Sequence, residues 1–252
     1  LDACQRCFPN RPGSDFVLRD LQLRDAFRGV DLMLAPSAFA RDRYVAAGWP
    51  AERFALVPNG IAEAVPAPHR EVRHGRRDRF GFFGHINRFK GSLVLLAASR
   101  RLSEAGVEHR VALNGGTAYQ SDAFLEEFRG ALGAAPAARH QGPYTSDQLA
   151  GLMAQIDWVV VPSIWWENSP MVIQEAFVHG RPLVVSDIGG MAEKVRHGID
   201  GWHVPVGSVR AWADALRTLA QHTSEWDNLR AAIRCPINHT ECATAHLAII
   251  SL

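Results

Sequence analysis

Four cysteines in 252 residues are too few for a disulfide scaffold, so a reducing, cytoplasmic setting is the expectation. No apolar run approaches the roughly 20 residues of a membrane span, and no secretory pattern opens the chain; any membrane contact is expected to be peripheral. Excess charge is missing too. With 27 Lys and Arg against 26 Asp and Glu, there is no global basic field of the kind a nucleic-acid binder carries. Neither a G-x-G-x-x-G nor a Walker loop occurs, so a dinucleotide or P-loop site has no support. No Ser stands in a G-x-S-x-G elbow, and no His pairs with Ser or Cys in a recognisable nucleophilic arrangement. Cys4 and Cys7 have the spacing of half a zinc site, but no second pair follows and the next His is His69, so no metal centre is expected.

What is present is an ordinary globular balance, 47% hydrophobic and 21% charged, which admits a sizeable core. The chain repeats a short β-rich run, a Gly- or Pro-marked turn and a helical stretch. Strands are expected at 80–83, 108–113, 138–141, 157–161, 182–186 and 201–204, with helices near 92–106, 121–132, 146–156, 170–179, 191–196 and 209–222. Val159-Val160-Val161 and Leu183-Val184-Val185 are continuous apolar runs, as in strands buried on both faces. This alternation predicts an α/β fold: a doubly wound, parallel-sheet domain over residues 79–252 whose ligands bind beyond the carboxyl ends of the strands.

The first part differs. A helix near 18–27, a strand within 30–37, a helix over 38–47 and a strand over 54–57 make too little sheet for an independent layered domain. Residues 1–62 are therefore expected to be the tail of another domain, and 63–78, rich in Pro, Arg and His, a solvated linker. The first residue is Leu rather than Met, so a piece or processed product of a longer chain is expected. The last segment, 224–251, is helical in tendency except around Cys235-Pro236.

The densest chemistry lies in Trp165-Trp166-Glu167-Asn168-Ser169-Pro170-Met171-Val172-Ile173-Gln174-Glu175, where seven residues separate two carboxylates across the mouth of an expected helix. Asn168 or Ser169 suits the N-cap, and Pro170 the first helical position. The free N–H groups of the first turn favour an anion, and ionised carboxylates, being acceptors only, suit the hydroxyls of a sugar or ribose. The plainer reading is two acids stabilising a helix N-terminus through its dipole, though Glu175 lies past the first turn. The same edge collects Gly84, which permits close backbone approach, and Arg88 and Lys90, either donors to a diphosphate or solvated loop charges. It also holds the tight turn at Asn114-Gly115-Gly116 and Tyr144, an aromatic that can stack near a base or merely pack.

Pro162-Ser163 through Glu175-Ala176-Phe177, followed by Gly180-Arg181-Pro182 to Gly190, resembles the retaining GT-B glycosyltransferases of group 1, or family four, with their E-x7-E signature. His197-Gly198-Ile199-Asp200-Gly201-Trp202, Pro36-Ser37 and Val57-Pro58-Asn59-Gly60 extend the likeness over about residues 28–222. The resemblance implies two facing Rossmann-like domains, the C-terminal one binding a nucleotide-diphosphate sugar. It implies that Glu175 holds the ribose hydroxyls, that Glu167 sits against the donor sugar, and that Lys90 binds the diphosphate. Backbone groups around Asn168, Ser169, Pro170, Met171 and Val172 would face sugar and phosphate. The family's Arg after the first Gly of its loop is His85 here, which either weakens the diphosphate clamp or hands that role to Arg88. Metal and cofactor are not needed, and the acceptor is a saccharide or a lipid-linked saccharide. The acceptor site is supplied mostly by an N-terminal domain of well over a hundred residues, little of which is present in this chain. The other reading is a non-catalytic nucleotide-sugar-binding module of the same fold.

Overall fold

The computed structural model describes residues 2–70, 72, 75–221 and 223–250. Two opening helices, α1 (Asp2–Cys7) and α2 (Gly13–Ala26), precede β1 (Met33–Ala35), α3 (Ala38–Ala46) and β2 (Phe54–Leu56), with β1 and β2 paired in parallel. Helix α1 was not expected. Helix α2 starts at Gly13 rather than near Leu18, because Pro12, at φ -66° and ψ 146°, leads extended backbone straight into it.

The second part contributes β3 (Arg79–Phe83), α4 (Ser92–Glu104), β4 (Arg110–Asn114), α5 (Asp122–Gly133), β5 (Ala138–Gly142), α6 (Leu149–Ala154) and β6 (Trp158–Val161). It continues with α7 (Met171–Val178), β7 (Leu183–Ser186), α8 (Gly189–Lys194), β8 (Gly201–Val204) and α9 (Val209–Gln221). Its six strands are parallel and ordered β5-β4-β3-β6-β7-β8. Strand order reverses between β3 and β6, which opens a crevice at their carboxyl ends. Leu95, Leu102, Phe124, Trp212 and Leu216 bury one face of the sheet against Phe80, Phe82 and Leu113. Met153, Ile173 and Met191 bury the other against Val159, Val161 and Val185. Two apolar layers on one sheet explain why its central strands read as unbroken hydrophobic runs.

Helices α10 (Thr223–Ala231) and α11 (His239–Ile250) end the chain, with the break around Pro236. The second of them returns to the first part: His239 N–H donates to Ile61 O at 3.1 Å, and Ile61 N–H to Ile237 O at 3.0 Å.

The stretch between the sheets is solvated in part, with Glu63 to Pro66 and Arg76 exposed, but two of its arginines are not. Glu71, Arg73 and His74 lie outside the described residues, but Arg70 and Arg77 turn inward. Both reach the buried Asp157 carboxylate, at 2.6 and 3.3 Å, and Arg77 also lies 3.8 Å over the Trp226 ring. Fully buried Arg181 donates to the carbonyls of Met153, His179 and Pro68 and to His69 Nδ1. A buried charge is costly unless paired, so each guanidinium that finds an inward partner pins the segment to the domain.

Candidate functional site

Three loops meet at Glu167. The loop after β3 brings Lys90, whose Nζ stands 2.7 Å from Glu167 Oε1. The loop after β6 brings Ser163, fully buried, whose hydroxyl donates to the same oxygen at 2.9 Å. The loop after β7 brings Gly190, whose N–H donates to Glu167 O at 2.6 Å. Glycine is required at two of the contacts. A Cβ on Gly91, which caps α4 at φ +73°, would lie 1.9 Å from Pro162 O, and one on Gly190 would lie 2.0 Å from Asn168 O. The Lys90 and Glu167 side chains keep 35% and 18% of their exposure, so a ligand can reach both.

Helix α7 begins at Met171. Pro170 is its N-cap in extended conformation rather than its first helical residue, and neither Asn168 nor Ser169 caps it. The correction has a local cause: proline's fixed φ and missing N–H end the loop at Pro170, leaving Ser169 one position too early. Ser169 Oγ is instead buried without a hydrogen-bond partner among the described residues. Glu175, on the second turn of α7, is half-buried, and burial raises its carboxyl above the usual range. It has no hydrogen-bond or ion-pair partner among the described residues. Tyr144 shares its surroundings: burial first, then the Glu175 charge, pushes the phenol up to about 12. The ring itself packs edge-on against Phe83 at 5.7 Å.

Gly84, at φ +130°, leaves open space above its Cα and donates to Asn114 O at 3.0 Å, joining the ends of β3 and β4. Arg88 does not join Lys90. It pairs with Glu127 on α5 and lies 5.9 Å from the Phe124 ring. His85 is engaged with Gln120 at 3.0 Å. The structure thus brings Lys90, Glu167 and the α7 mouth together and leaves Arg88 outside. Sequence reasoning missed Ser163 as a positioning hydroxyl, having weighed it only as a nucleophile. It also missed Trp166, which packs edge-on against Phe39 of α3 at 5.8 Å and ties the site to the first part.

The sequence pattern of the glycosyl transferases group 1 matches residues 77–222, more than half of the chain. The chain belongs to that family. Among curated relatives, the D-inositol 3-phosphate glycosyltransferase of Corynebacterium urealyticum is 32% identical over 182 residues, covering 66% of this chain and 43% of that protein. The Paenarthrobacter aurescens protein of the same name is 29% identical over 177 residues, 67% and 43% of the two chains. The group 1 chain thus spans less than half the length of these relatives. Among solved structures, Anabaena HepE in complex with UDP-glucose superposes with a TM-score of 0.77 at 20% identity, over 90% of this chain and 65% of that one. Sucrose-phosphate synthase from Thermosynechococcus elongatus gives 0.74 at 19%, over 96% and 62%. These likenesses establish the GT-B architecture, with the six-stranded sheet as its C-terminal Rossmann-like domain.

Proposed function

We propose that the chain carries the donor half of a retaining glycosyltransferase, which moves a sugar from a nucleotide diphosphate to a saccharide or lipid-linked saccharide. The observation that carries the reading is the half-buried Glu175 carboxylate, without a partner among the described residues, on the helix that opens just after the Lys90–Glu167 pair. A carboxylate left without a donor in a desolvated recess suits vicinal ribose hydroxyls, which supply two donors. Lys90 then meets the diphosphate, and the N–H groups of Met171 and Val172 face it from the α7 mouth, where the helix dipole favours negative charge. Glu167, its Oε1 held by Ser163, lies against the donor sugar. Tyr144 borders the base, and Gly84 leaves room for the diphosphate backbone. Arg88, committed to Glu127, is left out of this assignment. No metal enters it: Lys90 and the helix N-terminus offset the charge of the leaving diphosphate. Retention then follows from attack on the donor face from which the diphosphate departs. The enzyme acts from the cytosolic side, with at most peripheral membrane contact.

The test is a thermal-shift panel of UDP-, GDP-, ADP- and TDP-sugars on wild type and Glu175→Ala. Selective stabilisation of about 3 kcal/mol is expected at a few hundred-fold excess over Kd, with about tenfold or more lost affinity in the variant. Equal response of both proteins to every donor overturns the assignment. Donor binding with no transfer to any acceptor by the full gene product would make it a binding module instead.

A further inference from the structure

Beside α6, an open groove of about 600 Å³ runs along β3, β4 and β5, from Arg79, Arg110 and Arg139 near their amino ends to Asn114 and Gln141 near the carboxyl ends of β4 and β5. Helix α6 crosses this face but is only six residues long, and along β3, β4 and β5 it leaves Arg110 and Arg139 exposed and Arg79 half-buried. Arg79 and Arg110 are direct partners in the β3–β4 register, and Arg139 pairs with Ala112, one pleat further along the same face of β4. Like charges directly opposite on neighbouring strands repel, so this arrangement is unfavourable unless something neutralises it. Among the described residues, Asp78 and Asp157 offset the Arg79 charge, but only from beyond ion-pair distance. None of the three has a carboxylate at ion-pair distance, and no Asp or Glu lines the groove. Arg139 donates to Pro136 O and Ala138 O, both at 2.8 Å, which fixes its guanidinium at the rim. The remaining titratable lining group, His109, is occupied by Ser99 Oγ and Val107 O at 2.8 Å each. The apolar wall comes from Leu152 and Ile156.

We propose that the arginine end of this groove is a binding site for a phosphorylated small molecule, distinct from the Lys90–Glu167 site. Three guanidiniums on one concave surface match the oxygens of a phosphate ester or polyphosphate, which planar Arg forks bind in pairs. The volume falls within the range of small-molecule sites, and the aliphatic wall accommodates the organic part of such a ligand. Roughly 13 Å of strand separates Arg110 from Asn114 at the carboxyl end of β4, so a phosphate held by the arginines leaves the carboxyl edge free.

The probe is inorganic tripolyphosphate, titrated by calorimetry into wild type, Arg110→Gln/Arg139→Gln and Lys90→Ala, each checked for native circular dichroism. Arg110 and Arg139 are exposed, so their replacement leaves the fold intact; the single variants Arg110→Gln and Arg139→Gln provide the same reading if the double variant does not fold. The expected result is a binding event retained in Lys90→Ala and weakened at least tenfold in the double variant. Glucose 6-phosphate and glucose are compared next, and only the phosphorylated sugar should bind. Tripolyphosphate affinity unchanged by the arginine substitutions, or lost entirely with Lys90→Ala, overturns the proposal. Either result leaves the donor assignment standing, because that rests on the nucleotide-sugar panel.

Discussion

Lys90 Nζ and Glu167 Oε1 stand 2.7 Å apart, although their loops leave β3 and β6, the two strands between which the sheet reverses its order. A partly exposed pair of this kind contributes only about 0–1 kcal/mol to stability. Its value lies in holding a cation and an acceptor at fixed places on the crevice. Lys90→Ala should therefore leave Tm within about 2 °C of wild type while weakening nucleotide-diphosphate binding about tenfold or more. Calorimetry beside a melting curve checks both parts. A large loss of Tm with unchanged affinity would make the pair structural.

Glu175 carries a conflict between stability and function. Burial raises its carboxyl above the ordinary 4.5, so the folded protein keeps a proton that the unfolded chain has already released. Its stabilising contribution is full below about pH 4.5 and is lost as pH climbs through the raised value. Glu175→Gln should accordingly be more stable than wild type at pH 7, lose that advantage at pH 4, and bind donor poorly at both. Denaturant titrations at the two pH values decide it; a difference that does not vary with pH refutes the mechanism.

Asp157 neutralises Arg70 and Arg77 and also accepts from Arg79 N–H at 3.1 Å. Asp157→Ala leaves a nearly buried Arg77 without its main partner, at a cost of about 3–5 kcal/mol. A fall in Tm on the order of 10 °C follows for a chain of this size. Differential scanning calorimetry measures it, and a drop under about 2 °C would show the inward-turned segment to be dispensable.

His69 should make the fold acid-sensitive. Burial, then the charges of Arg230, Arg181 and Arg77, lowers it from 6.5 to about 4, and His179 is lowered too, again mainly by burial. The unfolded chain takes up these protons near pH 6.5 and the folded protein does not. Stability is therefore full above pH 6.5 and falls as pH drops toward 4. His69→Gln should give a shallower fall across that window in urea titrations. An unchanged slope would assign the acid sensitivity elsewhere.

Much of the fold was legible in the chain because its signals are local. Continuous apolar runs such as Val159–Val161, helical periodicity in 92–104, and the break at Pro236 depend on residues within a few positions of one another. Boundaries set by tertiary contact were less legible. Helix α8 was expected from Met191 but begins at Gly189, since Gly190 is the residue that passes beneath Asn168 O without a Cβ. Composition missed the inward turn of Arg70 and Arg77 within 63–78, because an arginine-rich stretch looks solvated until Asp157, far along the chain, is folded beneath it.

The candidate site divides along the same line. Neighbouring residues alone placed two acids about a helix mouth and a lysine after the first strand of the larger sheet, all on its carboxyl edge. Folding was needed to show that Lys90 meets Glu167, that Ser163 holds the same oxygen, that Glu175 has no partner among the described residues, and that Arg88 turns away to Glu127. Periodicity and turn chemistry are written in neighbouring residues. Which charges pair across distant loops depends on strand order and on the space that packing leaves.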